Sequence, residues 1–292
     1  MRKFKNYQLY LLMIPAYAMI ALIIFFPIGF TVYASLLRWR GEGFDMKFIG
    51  LQNYIDMFND PRFLNSLYNN IIWIILYLIL PMIGGFVLAL LLNTNLKGQT
   101  FFKVVFYLPG VISFVVVGII FSLIFNSSHG MLNEILRALH LDILAKQWLG
   151  SRLLALPSII IASSWQYVGF CMILYLAGLQ SIPMDVLEAA EVDGAKFHQK
   201  VFKVIIPLLK PVNVVVVMIT LINSIRVFDL VYVITHGGPF RATETIGFVM
   251  YDVSFRALLW GEGSAYGVFI FLLTTIPSII YVRHMLKTEV SY

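Results

Sequence analysis

Residues 188–207 read EAAEVDGAKFHQKVFKVIIP. This polar, mixed-charge stretch lies between two strongly apolar runs, 153–179 and 212–234. Just upstream, Pro183 suits an early helical position, where its missing N–H costs nothing. Asp185 and Glu188 fall in the first turns, where negative charge complements the helix dipole. Gly194 lacks a Cβ and offers a place for the chain to turn. A second short helix over 195–205 is expected to end at Pro207. Small Ala189, Ala190 and Ala195 flank the bend and would let another surface approach the backbone. The segment therefore reads as a helix-turn-helix hairpin; on these residues alone a plain helical connector is the first reading and a docking element the alternative.

The surroundings are those of a membrane protein. The 292 residues are 60% hydrophobic and 12% charged, with a mean hydropathy of +0.86. Soluble domains carry about 25% charged residues, so most of this surface faces something other than water. Six runs are long enough for the roughly 20 apolar residues a bilayer crossing needs: 9–37, 71–92, 104–125, 153–179, 212–234 and 264–282. The first is too long for a simple crossing and must tilt, project, or bend at Pro15 or Pro27. Arg2, Lys3 and Lys5 precede it, but the run exceeds the ~7–15 apolar residues of a cleavable signal, so an uncleaved first span is expected. The fold class is an all-α integral membrane protein of six transmembrane helices, with no extramembrane domain. Residues 1–66 hold the N-terminal tail, first span and outer loop. Residues 67–292 form a core with the other five spans and the 181–211 loop.

Six spans put both termini on one side. That side carries eleven Lys and Arg residues against nine in the longer loops opposite, and five acids against nine. Basic density marks the cytoplasm, which places the termini and the 188–207 hairpin there. The net charge of +6 thus reflects topology, not nucleic-acid binding. A single cysteine, Cys171, excludes an intrachain disulfide, and no Cys/His metal spacing occurs. In the outer loops, 51–58 reads as a short interfacial helix. Leu132, Ile135, Leu136 and Leu139 make one apolar helical face, and His236-Gly237-Gly238-Pro239 ends the fifth span.

The hairpin resembles the EAA loop of ATP-binding-cassette (ABC) importer permeases: Glu-Ala-Ala, three residues, Gly, nine residues, then an apolar stretch closed by Pro. Glu188, Ala189, Ala190, Gly194 and Val204-Ile205-Ile206-Pro207 hold that spacing, with Val and Ile where the family has Ile and Leu. Ile182-Pro183, Asp193-Gly194-Ala195 and Pro207-Leu208-Leu209-Lys210-Pro211 are similar to the carbohydrate permeases of the maltose and glycerol-phosphate type. So are Gly50-Leu51-Gln52-Asn53-Tyr54, Asn69-Asn70, Tyr107-Leu108-Pro109, Phe228-Asp229 and Thr235 to Pro239. The resemblance spans nearly the whole chain. It implies a maltose-type permease fold in a bacterial or archaeal cell membrane, with Glu188, Ala189, Ala190, Asp193, Gly194, Ala195 and Pro207 forming an ATPase-coupling loop. The implied partners are a second, unlike permease, two ATP-binding subunits and an external sugar-binding protein.

The residues bear on the energy source independently. A phosphate-binding loop needs G-x-x-x-x-G-K-[ST]; the only Lys followed by Ser or Thr is Lys287-Thr288, with no glycine before it. No cofactor is expected on this chain; ATP and Mg belong to the partner ATPase. Asp193-Gly194-Ala195 also opens like the signature of CDP-alcohol phosphotransferases, but no further Asp follows before Asp229, which excludes the metal site those enzymes need. An ion-coupled secondary transporter would need mid-membrane acids and internal repeats; Asp229 is the only acid in a span. An intramembrane Ser-His enzyme would need a His at depth, whereas all five fall in loops or at span ends.

Polar residues inside spans usually face a cavity or a partner. Thr220, Asn223 and Arg226 share a face of the fifth span at i, i+3 and i+6. Sugars need hydroxyl-matching groups and flat rings, which makes Thr220, Asn223, Arg226, Trp165, Tyr167 and Tyr232 the candidate substrate path. Each has a plainer reading: an Arg226–Asp229 ion pair holding two permeases together, or aromatics serving as packing. A glycerol phosphate would favour Arg226 as its partner.

Overall fold

The computed structural model describes residues 6–41, 45–94 and 97–288; the basic cluster Arg2, Lys3 and Lys5 lies outside them. In chain order the helices are α1 (Asn6–Ile20), α2 (Phe26–Ser35), α3 (Gln52–Asn59), α4 (Pro61–Leu92), α5 (Gln99–Tyr107), α6 (Phe114–Ile124), α7 (Met131–Ala138) and α8 (Ala155–Gln180). They continue with α9 (Met184–Val192), α10 (Phe197–Lys200), α11 (Ile206–Leu208), α12 (Lys210–Ile225), α13 (Asp229–Ile234), α14 (Ile246–Tyr251) and α15 (Trp260–Thr288). Among the described residues, the one departure from all-α is a two-residue antiparallel pair, β1 (Leu37–Arg38) with β2 (Lys47–Phe48), in the first outer loop.

Among the described residues, four helical stretches are long and apolar enough to cross a membrane: Met13–Ser35, Pro61–Leu92, Ala155–Gln180 and Trp260–Arg283. Two more candidates are bent pairs, Gln99–Val111 with Phe114–Ile124 at 98° and Phe197–Leu208 with Lys210–Ile225 at 72°. Six crossings result only if each bent pair counts as one. The continuous third span expected over 104–125 is thus corrected to a broken one. Pro109 cannot donate to the preceding turn, the chain tightens into a 3-10 turn at Leu108–Val111, and Ser113 restarts the helix by accepting from the Val116 N–H. The fifth span is corrected likewise: α12 stops at Ile225 and α13 begins at Asp229, with neither Pro nor Gly between them.

Contacts group the chain into two compact units. One holds the described residues up to Phe63 with Val249–Leu272. Its first span contains a π-helical turn, Ala21–Phe25, ending two residues before Pro27. The wider turn accommodates a residue that cannot donate and whose ring crowds the preceding carbonyl. Buried Asn53 donates to the carbonyls of Ser35 (2.7 Å) and Leu37 (2.9 Å), which ties α3 to the end of α2. Phe63 packs edge-on against Phe58, Tyr266 and Phe269. Asp252 pairs with both Arg62 and Arg256.

The other unit holds Leu64–Phe248 with the chain from Leu273 on. Helix α8 is its axis, with 61% of its most apolar stretch buried. Trp73, Tyr77, Val117, Phe121, Ile159 and Leu230 build one core, and Ala89, Cys171, Met172, Tyr175, Leu209 and Val216 a second. Lipid is as apolar as leucine, so such helices associate through close packing at small residues. At Gly85 a Cβ would lie 2.5 Å from that of Cys171, and at Gly169 it would lie 2.2 Å from the Phe106 carbonyl oxygen. The second obstacle is backbone and cannot swing aside. Gly169→Leu is therefore expected to prise α5 from α8, costing about 1–3 kcal/mol or more. A thermal scan of the detergent-solubilised protein followed by size exclusion would read this as loss of the monodisperse peak well below the wild-type temperature.

Candidate functional site

Two places in the second unit concentrate unusual chemistry: the hairpin after α8 and a cavity at the break in the fifth span.

The hairpin forms as its residues dictate. Pro183 precedes the first turn of α9, and Asp185 lies in that turn. The helix closes with a Schellman arrangement: the Gly194 N–H donates to Glu191 O and the Ala195 N–H to Ala190 O, both at 2.9 Å. This requires Gly194 at φ +75°, and open space surrounds the position of its absent Cβ. Helix α10 then starts at Phe197, two residues later than expected, with the Gln199 side chain accepting from the Lys196 N–H at 2.8 Å. Lys200 pairs with Glu191 across the turn. Pro207 does not end the second helix, contrary to the sequence expectation. A π-helical turn at Val201–Ile205 shifts the ladder so that Ile206 bonds back to Val201, and the chain runs on through Pro207 to bend only at Leu209.

The hairpin attaches inward through Leu187 and Ile205, which pack on the second core. Its outward surface is unusually apolar: Val192 is 87% exposed, Phe197 70% and Phe202 69%. Glu188, Ala189 and Asp193 are exposed beside them, Ala190 and Ala195 are half-buried at the bend, and Pro207 is exposed near the base. Large apolar side chains held on a short, braced polar element form an exposed patch of the kind that protein or membrane contacts use.

The cavity, about 360 Å³, is lined by Trp73, Tyr77, Phe114, Ser163, Tyr167, Asn223 and the segment Arg226–Leu230. Its size is at the lower end of the ~300–1,000 Å³ typical of small-molecule sites. Tyr77 stacks on Tyr167 with ring centres 5.2 Å apart, and Tyr167 continues to Phe170. Asn223 Nδ2 donates to the Tyr167 hydroxyl at 3.4 Å. Arg226 stands at the C-terminal end of α12 and Asp229 in the first turn of α13, where each charge suits the adjacent helix dipole. Among the described ion pairs none joins Arg226 to Asp229. The local pair offered by their i, i+3 spacing does not form, because the helix is broken between them.

Of the six candidate path residues, the structure brings Tyr167, Asn223 and Arg226 to one cavity. Thr220 is fully buried between helices, off the cavity wall. Trp165 is not among the lining residues and packs edge-on against Phe121. Tyr232 stacks on Phe228 and meets His236 and Phe248. Trp73, Tyr77, Ser163 and Asp229 line the cavity without having been singled out for it. A second recess, about 310 Å³, opens beside the third-span break and shares Phe114 and Tyr167 with the first. Among the described residues, no three His, Cys, Asp or Glu side chains come together as metal ligands.

A profile described as "Binding-protein-dependent transport system inner membrane component" matches residues 82–287. The probable ABC transporter permease protein YurN of Bacillus subtilis (strain 168) is 36% identical over 276 residues, covering 94% of each chain. The trehalose/maltose transport system permease protein MalF of Thermococcus litoralis is 32% identical, covering 94% of this chain and 92% of its own. Among solved structures, the bacterial alginate ABC transporter in complex with an alginate pentasaccharide-bound periplasmic protein superposes with a TM-score of 0.82. It shares 22% identity and covers 98% of this chain and 97% of its own.

Proposed function

The chain belongs to the family of binding-protein-dependent transport system inner membrane components, and on that premise we propose that it is one permease half of an ATP-driven sugar importer. As a multi-pass membrane permease it supplies the route. An external binding protein delivers the sugar, and ATP and Mg are handled on two separate ATP-binding subunits. A second, unlike permease completes the channel, and both termini face the cytoplasm. The hairpin from Met184 to Leu208 is the coupling point. Val192, Phe197 and Phe202 enter a groove on the ATPase, with Glu188 and Asp193 at its rim.

The observation that carries the sugar reading is the makeup of the cavity. Tyr167 and Phe114 supply flat faces for the C–H surface of a pyranose, and buried Tyr77 backs Tyr167 by stacking on it. Asn223 and Tyr167 supply neutral donors and acceptors for hydroxyls. Arg226 is matched by Asp229 on the same wall, so the site carries no net charge. That favours a neutral sugar over a glycerol phosphate, whose phosphate would face Asp229 as well as Arg226. The relative named for trehalose and maltose points the same way.

The test is affinity capture. Tagged chain, co-expressed with its neighbouring genes, should retain ATP-binding subunits and a second permease through detergent extraction, and the assembly should hydrolyse ATP when the liganded binding protein is added. Capture of the chain without an ATPase, together with uptake driven by an ion gradient, would overturn the reading.

A further inference from the structure

By composition the fifth span has no reason to break: no Pro or Gly occurs between residues 212 and 236. In a continuous helix the carbonyls of Ser224 and Ile225 would accept from the N–H groups of residues 228 and 229. Both residues are buried, and a buried carbonyl left without a donor is costly. The missing donors come from a distant side chain. Asn70, fully buried in α4, directs Nδ2 at the Ser224 and Ile225 carbonyls, each at 3.3 Å. Its amide orientation is fixed by the Ile246 N–H, which donates to Oδ1 at 2.7 Å. Thr245 adds a second substitute, its hydroxyl donating to the Val227 carbonyl at 2.9 Å. Asn69 and Asn65 anchor the same loop through the carbonyls of Glu244 (2.9 Å) and Arg241 (2.8 Å).

We propose that Asn70, assisted by Thr245, is a positioning residue of the transport site: by replacing two helical donors it holds the fifth span open at residues 226–228. In an unbroken helix Arg226 and Asp229 would sit at i, i+3 and pair with each other. The break leaves both on the cavity wall beside Asn223, available to substrate hydroxyls. Asn70 touches no substrate itself; it acts through the backbone that carries Arg226 and Asp229. The inference rests on the reading of the cavity as the transport site.

The experiment uses the full assembly in proteoliposomes, with Asn70→Leu and the near-isosteric Thr245→Val. The probe is a radiolabelled neutral oligosaccharide, chosen as the one that most raises the melting temperature of the binding protein. Sugar delivered per ATP hydrolysed should fall about tenfold for Asn70→Leu and about threefold for Thr245→Val, with assembly and ATP hydrolysis retained. Amide exchange over residues 226–229 should slow in Asn70→Leu as the helix closes. Wild-type ratios and exchange in both variants would overturn the proposal, as would parallel loss of uptake, hydrolysis and assembly in both. Asn223→Leu separates the two levels. If it too leaves uptake unchanged, the placement of the site fails; if it alone impairs uptake, only the role of Asn70 fails.

Discussion

Replacing Gly194 by valine is expected to abolish uptake while leaving the membrane-embedded fold intact. A Cβ at this position meets open space, so the variant creates no clash. The cost is conformational. At φ +75° an L-residue pays about 1–2 kcal/mol, and a β-branched one fits worst. Relief comes by rotating the residue out of the left-handed region, which breaks the Gly194–Glu191 and Ala195–Ala190 bonds that close α9. The Glu191–Lys200 pair is half exposed and worth little on its own, so it cannot hold the turn. Val192 and Phe197 then lose their fixed spacing, and with it the apolar surface proposed to meet the ATPase. Uptake should fall below about one-tenth of wild type, the equivalent of roughly 1.4 kcal/mol or more of docking energy, with less ATP-binding subunit on co-purification. The size-exclusion profile of the chain itself should not change. Gly194→Asn, which tolerates the left-handed conformation, should stay close to wild type. Normal uptake and co-purification in the valine variant would remove the hairpin from the coupling path.

The second large effect is expected at Asn223. Leucine matches its size but removes the amide from the cavity wall and from the Tyr167 hydroxyl. A site built to hydrogen-bond hydroxyls loses discrimination when one partner is deleted, because the substrate group it served is left unpaired. One lost hydrogen bond predicts a drop of about tenfold in uptake at limiting substrate. ATPase recruitment should be unaffected, since Leu187 and Ile205, which attach the hairpin, do not line this cavity. Uptake assays on membrane vesicles, paired with co-purification, separate this outcome from the Gly194 variant, which should lose both.

The hairpin was legible in the sequence because its determinants are local. Gly194 and its neighbours fix a turn whose backbone bonds reach no further than five residues. The cavity was only half legible for the opposite reason. Asn223 and Arg226 stood out as polar residues in an apolar run, and both reach the cavity. Thr220 shared their helical face on paper, yet it is packed inside. A face drawn from 3.6-residue periodicity says which residues align, not where the cavity edge cuts that face. Trp165 and Tyr232 were aromatic in the right spans, but ring type carries no information on direction. The break at 226–228 left no local trace, since its donors come from Asn70 and Thr245, one of them more than 150 residues away. By contrast, Pro109 and Gly110 lay in plain view inside the third span and mark a break that span length alone concealed. Pro207 misled in the other direction, because a π-helical turn can carry a helix past a proline that would otherwise stop it.

The measurement that bears most directly on the central claim is reconstituted uptake. The chain, its partner permease and two ATP-binding subunits are placed in liposomes loaded with MgATP, and binding protein charged with a radiolabelled neutral sugar is supplied outside. Accumulation of the sugar against its gradient is expected only when ATP, the ATP-binding subunits and the binding protein are all present. Accumulation that persists without the ATP-binding subunits, or that follows an imposed proton or sodium gradient instead of ATP, would contradict it.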